Sequence, residues 1–171
     1  SEGLGFSVDL RPETGDLLGY RAKPHTGVID LDRIGHYPAR DFWEEVRAGD
    51  GRIILDPGAF YILVSREAVT IPPDYAAEMA PYLAMVGEFR VHYAGFFDPG
   101  FGYGAKGEVK GTPAVLEVRP YEDDLIVRHR QPVCKMAYEN LTAPPDKLYG
   151  VGVKSNYAAQ RGPRLSKFFK G

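Results

Sequence analysis

Short stretches of alternating apolar and polar residues run through most of the chain. The alternation is clearest at residues 6–10, 27–31 and 88–93, and a period of two is typical of strands with one buried face. Other short runs are rich in β-branched and aromatic residues, which also favour strands. These runs predict further strands at residues 52–58, where a Pro-Gly turn ends the strand, and at 59–64, 68–71, 115–118, 125–128 and 133–138.

Two segments have a pattern that favours helix instead. In residues 38–48, Phe42, Trp43 and Val46 are spaced to share one face of a helix, and Gly49 follows as a stop signal. Residues 74–79 follow two prolines and begin with Asp74, a residue type favoured at helix N-caps. We therefore predict one clear helix and one further helical turn.

The overall pattern predicts an all-β protein. Twenty Gly and 14 Pro are spread along the chain, which indicates many turns between short strands. Strand signals at intervals of about 8–12 residues are typical of a β-sandwich or jelly roll, and a βαβ fold would need several more helices. A length of 171 residues fits a single domain, residues 1–171. Beyond residue 141 the apolar pattern ends, and residues 141–171 form a basic C-terminal tail.

Charge and cysteine content exclude several classes of protein. A net charge of −2 offers no overall attraction to nucleic acid or to an anionic membrane. No apolar run of 18 or more residues and no signal peptide is found, so we expect a cytoplasmic protein. With Cys134 as the one cysteine, an intrachain disulfide and a multi-cysteine zinc site are both excluded. The four histidines lack metal-ligand spacing.

Two acidic residues are candidates for chemistry. Glu117 lies in an apolar strand, where it either faces solvent or lines a pocket as a general base. Asp98 begins an Asp-Pro-Gly sequence that predicts a type II turn, and it could also border a ligand pocket. The tail from Lys154 to Lys167 is either a solvated terminus or a segment that orders over a phosphate-bearing ligand.

The order of several segments along the chain resembles that of the dCTP deaminase family, in the dCTP deaminase and dUTPase superfamily. The most specific parts are the Asp-Pro-Gly-aromatic turn, the Leu-Glu strand and the Tyr/Gln tail. The segments that carry the resemblance are 29–31, 54–58, 60–63, 67–72, 94–101, 116–117 and 156–160.

The resemblance implies a distorted jelly roll of the dUTPase type that assembles as a homotrimer, or as a pseudo-trimer or dimer of repeats, with active sites at subunit interfaces. It implies hydrolytic deamination of dCTP to dUTP and ammonia, as a step towards dTTP, without zinc and with Mg²⁺ bound through the nucleotide triphosphate. Glu117 matches the catalytic glutamate. The positions that match substrate-binding residues, or stand beside them, are Ala94, Phe96, Asp98, Phe101, Tyr149, Lys154, Asn156 and Gln160.

The chain departs from the family pattern where the triphosphate is bound. The family's Ser-Ser-x-x-x-Arg-like segment corresponds to residues 80–85, which contain neither Ser nor Arg. Phe96 replaces an arginine and Asn156 replaces a lysine. The first residue is Ser1 rather than Met. We therefore hypothesise that the chain is the second half of a fused, two-repeat deaminase, which a mature native product of only 18.9 kDa would contradict.

Two other functions remain open at this stage. A dUTP pyrophosphatase usually has an aspartate base and a Gly-rich C-terminal motif; the tail here lacks that motif, although a bifunctional deaminase and pyrophosphatase is compatible with the sequence. A non-catalytic nucleotide-binding or scaffold domain would account for the missing phosphate contacts.

Overall fold

Strands account for nearly all the regular secondary structure in the computed structural model, which describes residues 3–81, 89–91, 95–151 and 162–170. A single turn of 3-10 helix at Ala39–Asp41 interrupts the strands of this described part. The strands in chain order are β1 (Leu4–Ser7), β2 (Leu17–Ala22), β3 (Tyr37–Pro38), β4 (Trp43–Arg47), β5 (Arg52–Leu55), β6 (Tyr61–Val69), β7 (Tyr75–Pro81), β8 (Phe89–Val91), β9 (Phe96–Phe97), β10 (Thr112–Pro120), β11 (Leu125–Arg128), β12 (Pro132–Asn140) and β13 (Phe169–Lys170).

Two larger sheets and two small ones make up the fold. One sheet has the order β1-β12-β7-β9, and the other has the order β4-β2-β6-β10-β8. All pairs in these two sheets are antiparallel. The antiparallel pair β5-β11 and the parallel pair β3-β13 complete the structure of the described residues. This arrangement confirms the predicted all-β class.

One hydrophobic core lies between the two larger sheets. Phe6 and Met136 from the first sheet and Leu63 and Leu116 from the second are fully buried in the same cluster. Burial of such side chains contributes about 1.5–3 kcal/mol each. In β10 the residues alternate strictly between buried and half-buried up to Val118, so one face of this strand serves the core and the other faces outward.

Cys134 belongs to this core. Its Sγ lies 3.7 Å from Sδ of Met79, and burial raises the pKa of the thiol to about 12. A thiol held protonated in this way is a packing residue and not a nucleophile.

Several predicted strands are confirmed. The strand at 52–58 is β5 and ends in a turn at Gly58, which has a φ of +72°. The strands at 115–118, 125–128 and 133–138 lie within β10, β11 and β12. The predicted strand at 6–10 corresponds to β1, which ends at Ser7, with an isolated bridge from Val8 to Ser65.

The predicted helix at residues 38–48 is wrong. Apart from the 3-10 turn, this segment forms β4, which pairs with β2. A spacing of three puts Trp43 and Val46 on one face of a helix but on opposite faces of a strand. Here both faces are covered: Trp43 lines an outer cavity, and Val46 packs against the core.

Three other predictions also differ from the structure. Residues 27–31 form no strand, and Val28 is 92% exposed. Residues 74–79 lie in the strand β7 instead of a helical turn, because Tyr75–Pro81 pair along β12. The two strands predicted at 59–64 and 68–71 are one continuous strand, β6, that pairs with both β2 and β10.

None of the described residues belongs to a helix that is long and apolar enough to cross a membrane.

Candidate functional site

A cavity of about 410 Å³ lies against the outer face of the five-stranded sheet. The sheet forms one wall, and β9 with the turn that follows it and parts of the C-terminal segment form the others. The lining residues are Trp43, Phe60, Ile62, Phe96, Phe97, Asp98, Phe101, Pro113, Val115, Glu117, Tyr149, Arg164 and Ser166. The volume suits a small-molecule ligand of ordinary size.

Glu117 is placed on the sheet wall by the alternation of β10. Its neighbours Leu116 and Val118 are fully buried in the core, so the intervening side chain points to the opposite face. There it is half-buried and lies directly across the ladder from Ile62 of β6. Of the two alternatives left open by the sequence, the structure therefore favours a carboxylate that lines a pocket.

Aromatic side chains from neighbouring strands extend this wall. Trp43 of β4 lies 6.2 Å from Phe60, centroid to centroid, and 5.9 Å edge-to-face from Phe169 of β13. The guanidinium of Arg119 sits over the ring of Phe60 at 5.7 Å. Such packing gives the wall a rigid apolar surface around the Glu117 carboxylate.

The turn after β9 forms the opposite side. The N–H of Phe101 donates to the carbonyl of Asp98 at 3.1 Å, and Gly100 has a φ of +94°. These two features confirm the type II turn predicted from the Asp-Pro-Gly sequence. The N–H of Gly100 also donates to the carbonyl of Ile71 at 2.9 Å, which fixes the turn to the end of the core strand β6.

The turn presents two aromatic residues to the cavity. Phe97 and Phe101 are both buried, and their rings meet edge-to-face at 5.0 Å. Asp98 between them is exposed and lines the cavity. The alternation of a buried ring, an exposed carboxylate and a second buried ring holds Asp98 at the rim.

The segment beyond β12 supplies the remaining wall. The ring of Tyr149 lies 5.3 Å from that of Phe101, and its backbone N–H donates to the carbonyl of Pro99 at 2.9 Å. Arg164 and Ser166 line the cavity from just before β13. The parallel pairing of β13 with β3 anchors this end of the chain near Trp43.

The cavity therefore combines an aromatic lining with few charges. Among the described residues, Glu117, Asp98 and Arg164 are the acidic and basic side chains that line it. No group of three or more His, Cys, Asp and Glu side chains that could hold a metal ion is found among the described residues.

Five of the predicted site residues meet in this cavity. They are Glu117, Phe96, Asp98, Phe101 and Tyr149, which lie up to 53 positions apart in the sequence. Ala94, Lys154, Asn156 and Gln160 lie outside the described residues.

Several lining residues were not identified from the sequence. Trp43 was assigned to a helix, and Phe60 and Ile62 were treated only as strand formers. Arg164 was included in the basic tail without a role of its own. The cross-strand neighbours of Glu117 could have been found only from the register of β6 and β10, which alternation alone does not set.

Comparison with known proteins identifies the family. Residues 1–169 match the family described as the C-terminal domain of 2'-deoxycytidine 5'-triphosphate deaminase. The chain belongs to this family. It is 30% identical to a dCTP deaminase, dUMP-forming, from Methanosphaera stadtmanae, over 94% of this chain and 78% of that protein. It is 31% identical to a dCTP deaminase from Halorubrum lacusprofundi, over 94% and 75% of the two chains.

A solved structure of the same family is also similar. The crystal structure of 2'-deoxycytidine 5'-triphosphate deaminase from Agrobacterium tumefaciens matches 83% of this chain with a TM-score of 0.73 and 51% sequence identity. The matched segment covers 42% of that chain, which is less than half of the bacterial protein. These relatives bear the name of a deaminase, and the Agrobacterium structure has a similar fold.

Proposed function

We propose that this chain provides the general-base side of an active site that deaminates a deoxycytidine nucleotide, dCTP in the first instance. The observation that carries the proposal is the position of Glu117 in an aromatic cavity with Asp98 and Phe101 opposite. Relatives named dCTP deaminase support the choice of substrate. Phe101 is suited to border the sugar, and Asp98 to accept a hydrogen bond from the sugar hydroxyl.

The reaction needs one proton shuttle. Glu117 takes a proton from water and passes it to the cytosine ring, which leaves C4 open to attack by the hydroxide. Glu117 then takes the proton of the new C4 hydroxyl and passes it to the amino group, so that the C4–N bond breaks, ammonia leaves and the C4 carbonyl of uracil forms. The products are the uracil nucleotide and ammonia. The apolar wall around Glu117 excludes bulk water and strengthens its interaction with the ring.

The phosphate end of the nucleotide lies, in this proposal, towards the C-terminal segment. Arg164 supplies a cation and Tyr149 a hydroxyl at this side of the cavity. Mg²⁺ enters as part of the substrate, bound to the triphosphate oxygens. We propose that the tail, residues 141–171, closes over this end, with Lys154, Asn156 and Gln160 adding polar contacts.

We further propose that the complete site needs a second unit. Residues 80–85 contain no Ser or Arg for the triphosphate, and the Agrobacterium protein is more than twice as long as the matched segment. A first repeat of a fused chain, or a second subunit in a trimer or pseudo-trimer, would supply the missing Ser and Arg contacts to the triphosphate.

The decisive experiment compares Glu117→Gln with the parent in the full-length gene product. With dCTP and Mg²⁺, ammonia release should fall by a factor of about 10² to 10⁴, the usual contribution of a general base. Glu122→Gln, an exposed residue just beyond β10, serves as the matched control and should leave the rate unchanged. If Glu117→Gln keeps full activity, or if the parent releases no ammonia, the deaminase proposal fails.

A second candidate is a bifunctional enzyme that continues to dUMP. Relatives from Methanosphaera stadtmanae and Methanothermobacter thermautotrophicus are named dUMP-forming deaminases, and both match 94% of this chain. The same assay distinguishes the two products: release of pyrophosphate in step with ammonia favours the bifunctional enzyme, whereas dUTP without pyrophosphate favours the simple deaminase. Turnover of dUTP alone would favour a pyrophosphatase.

A further inference from the structure

A second cavity, of about 480 Å³, lies apart from the proposed active site and shares no lining residue with it. Its lining consists of Arg11, Asp50, Gly51, Arg52, Arg128, His129 and Arg130. We call it the basic pocket. Four arginines and one aspartate give its walls a net charge of +3 when His129 is neutral, although the whole chain carries −2.

Two of these arginines are direct cross-strand neighbours. Arg52 of β5 and Arg128 of β11 are paired in the register of the small antiparallel sheet. Like charges directly opposite each other destabilise a sheet. Arg52 contacts Asp50, with 3.1 Å between Nε and Oδ2, and its side chain is still 56% exposed. One carboxylate thus balances one of the four cations.

The other guanidinium groups have no carboxylate partner in the described part of the chain. No ion pair involves Arg11, Arg128 or Arg130 there. The carboxylate of Asp9 accepts the backbone N–H of Arg11 at 3.2 Å and does not line the pocket. A concentration of unbalanced cations in a concave surface attracts anions.

The backbone at the pocket is shaped around these side chains. Gly51 has a φ of +83°, and a Cβ added there would lie 2.8 Å from Nε of Arg11. Glycine therefore allows the Arg11 guanidinium to lie directly on the main chain. The imidazole Nδ1 of His129 accepts the N–H of Leu10 at 3.3 Å, so in the neutral ring the proton is on Nε2 and available as a donor.

Arg130 occupies a position that normally belongs to glycine or asparagine. It has a φ of +66° in the tight turn closed by the hydrogen bond from Gln131 N–H to the carbonyl of Arg128, at 3.1 Å. Strained residues of this kind tend to be kept where the side chain is needed. The turn directs both Arg128 and Arg130 into the lining of one pocket.

We propose that the basic pocket binds an anion with two or more linked phosphate groups, such as pyrophosphate or the polyphosphate end of a nucleotide. Arginine guanidinium groups bind phosphate oxygens in pairs through parallel hydrogen bonds, and four of them suit a multiply charged ligand. Apart from the imidazole, the described residues that line the pocket include no aromatic ring on which a base could stack. The pocket therefore recognises phosphate and not the base.

The test measures thermal stability and binding of the full chain with pyrophosphate and, separately, with ATP. At a hundredfold excess over Kd, either ligand should raise Tm by roughly 5–10 °C. Binding of both indicates recognition of any polyphosphate end, whereas binding of pyrophosphate alone indicates a site for the free anion. Binding should weaken as salt increases.

The variant Arg128→Gln should change thermal stability and pyrophosphate binding in opposite directions. Because it removes the like-charge pair with Arg52, it should raise Tm without ligand, yet it should weaken pyrophosphate binding about tenfold or more. Arg40→Gln, an exposed arginine that lines neither cavity, should leave both quantities unchanged. Arg164→Gln should leave pyrophosphate binding at the basic pocket intact.

Three results would overturn the proposal. One is a parent protein whose Tm does not respond to either ligand. Another is a pyrophosphate effect that persists in the Arg52→Gln/Arg128→Gln double variant. The third is a short DNA duplex that binds more tightly than pyrophosphate and depends on the same arginines, because the pocket would then be part of a nucleic-acid surface.

Discussion

At the scale of single residues, the outer face of the sheet contains an unsatisfied donor. The indole N–H of Trp43 is buried and has no hydrogen-bond partner, the one such side-chain atom among the described residues. Leaving a buried donor unpaired costs about 1–3 kcal/mol. Since Trp43 lines the proposed active site, a bound nucleotide that brings an acceptor close to this N–H would remove that cost.

Trp43→Phe tests this role, because it removes the donor and keeps most of the aromatic packing against Phe60 and Phe169. We expect the stability of the ligand-free protein to stay the same or rise by about 1 kcal/mol, since no hydrogen bond is lost. The KM for dCTP should rise about tenfold with kcat largely unchanged, if the contact forms equally in ground and transition states. An unchanged KM would assign Trp43 to packing alone.

Sequence reasoning could find residues whose role is local, and it missed those that depend on register. The turn at Asp98 follows from three adjacent residues, and the structure has it as predicted. Glu117 could be identified as an acid in an apolar strand, but its orientation was open until Leu116 and Val118 were seen in the core. Trp43 reaches the site only because β4 adds to the edge of the sheet beside β2.

At the scale of elements, the loop between β9 and β10 is closed by a single carboxylate. Glu108 accepts the backbone N–H groups of Ala105 and Lys106 at 3.0 and 2.7 Å. These hydrogen bonds, first that from Lys106, lower the pKa of Glu108 below its ordinary value of 4.5. The same loop contains Gly102, where a Cβ would lie 2.0 Å from the carbonyl of Val69. The loop therefore joins the cavity turn to β10, the strand that carries Glu117.

The pKa of Glu108 predicts how this loop responds to acid. Because the folded pKa is below the unfolded one, the stabilisation is complete above the unfolded pKa and is lost as pH falls through the folded pKa. Hydrogen exchange of the Ala105 and Lys106 amides should accelerate, relative to the intrinsic rate, on acidification below pH 4.5. In Glu108→Gln this pH dependence should disappear. Equal protection at all pH values in both proteins would contradict the prediction.

The incorrect helix at 38–48 is also explained at this scale. The spacing of apolar residues indicates the type of element when only one face of that element is buried. Both faces of β4 have contacts, because Trp43 lines the cavity and Val46 packs against the core. The same reason applies to β6, whose first five residues are all buried, so no alternation marks it as one strand. Strands between a core and a covered outer face are the elements that local patterns describe least well.

At the scale of the whole molecule, one residue that lines the cavity is also strongly exposed, namely Phe96. Phe96 is 79% exposed, whereas the adjacent Phe97 is 6% exposed in the core. The exposed ring leaves apolar surface that a neighbouring unit would bury. The resemblance places an arginine at this position, and a phenylalanine cannot make an arginine's contact with phosphate. We propose that Phe96 packs against the second unit that completes the site.

Phe96→Ser tests this assembly. In the full-length protein, sedimentation velocity should show a shift towards smaller species or a more expanded particle, and deaminase activity should fall at least tenfold because the neighbouring unit no longer supplies its cations. The fold of the unit itself should persist, since an exposed side chain contributes little to its core.

Ile54→Ser, a change of a 57% exposed residue on β5 away from this cavity, is the matched control. If both variants sediment and turn over dCTP like the parent, Phe96 takes no part in assembly, and the missing phosphate contacts must come from within this chain.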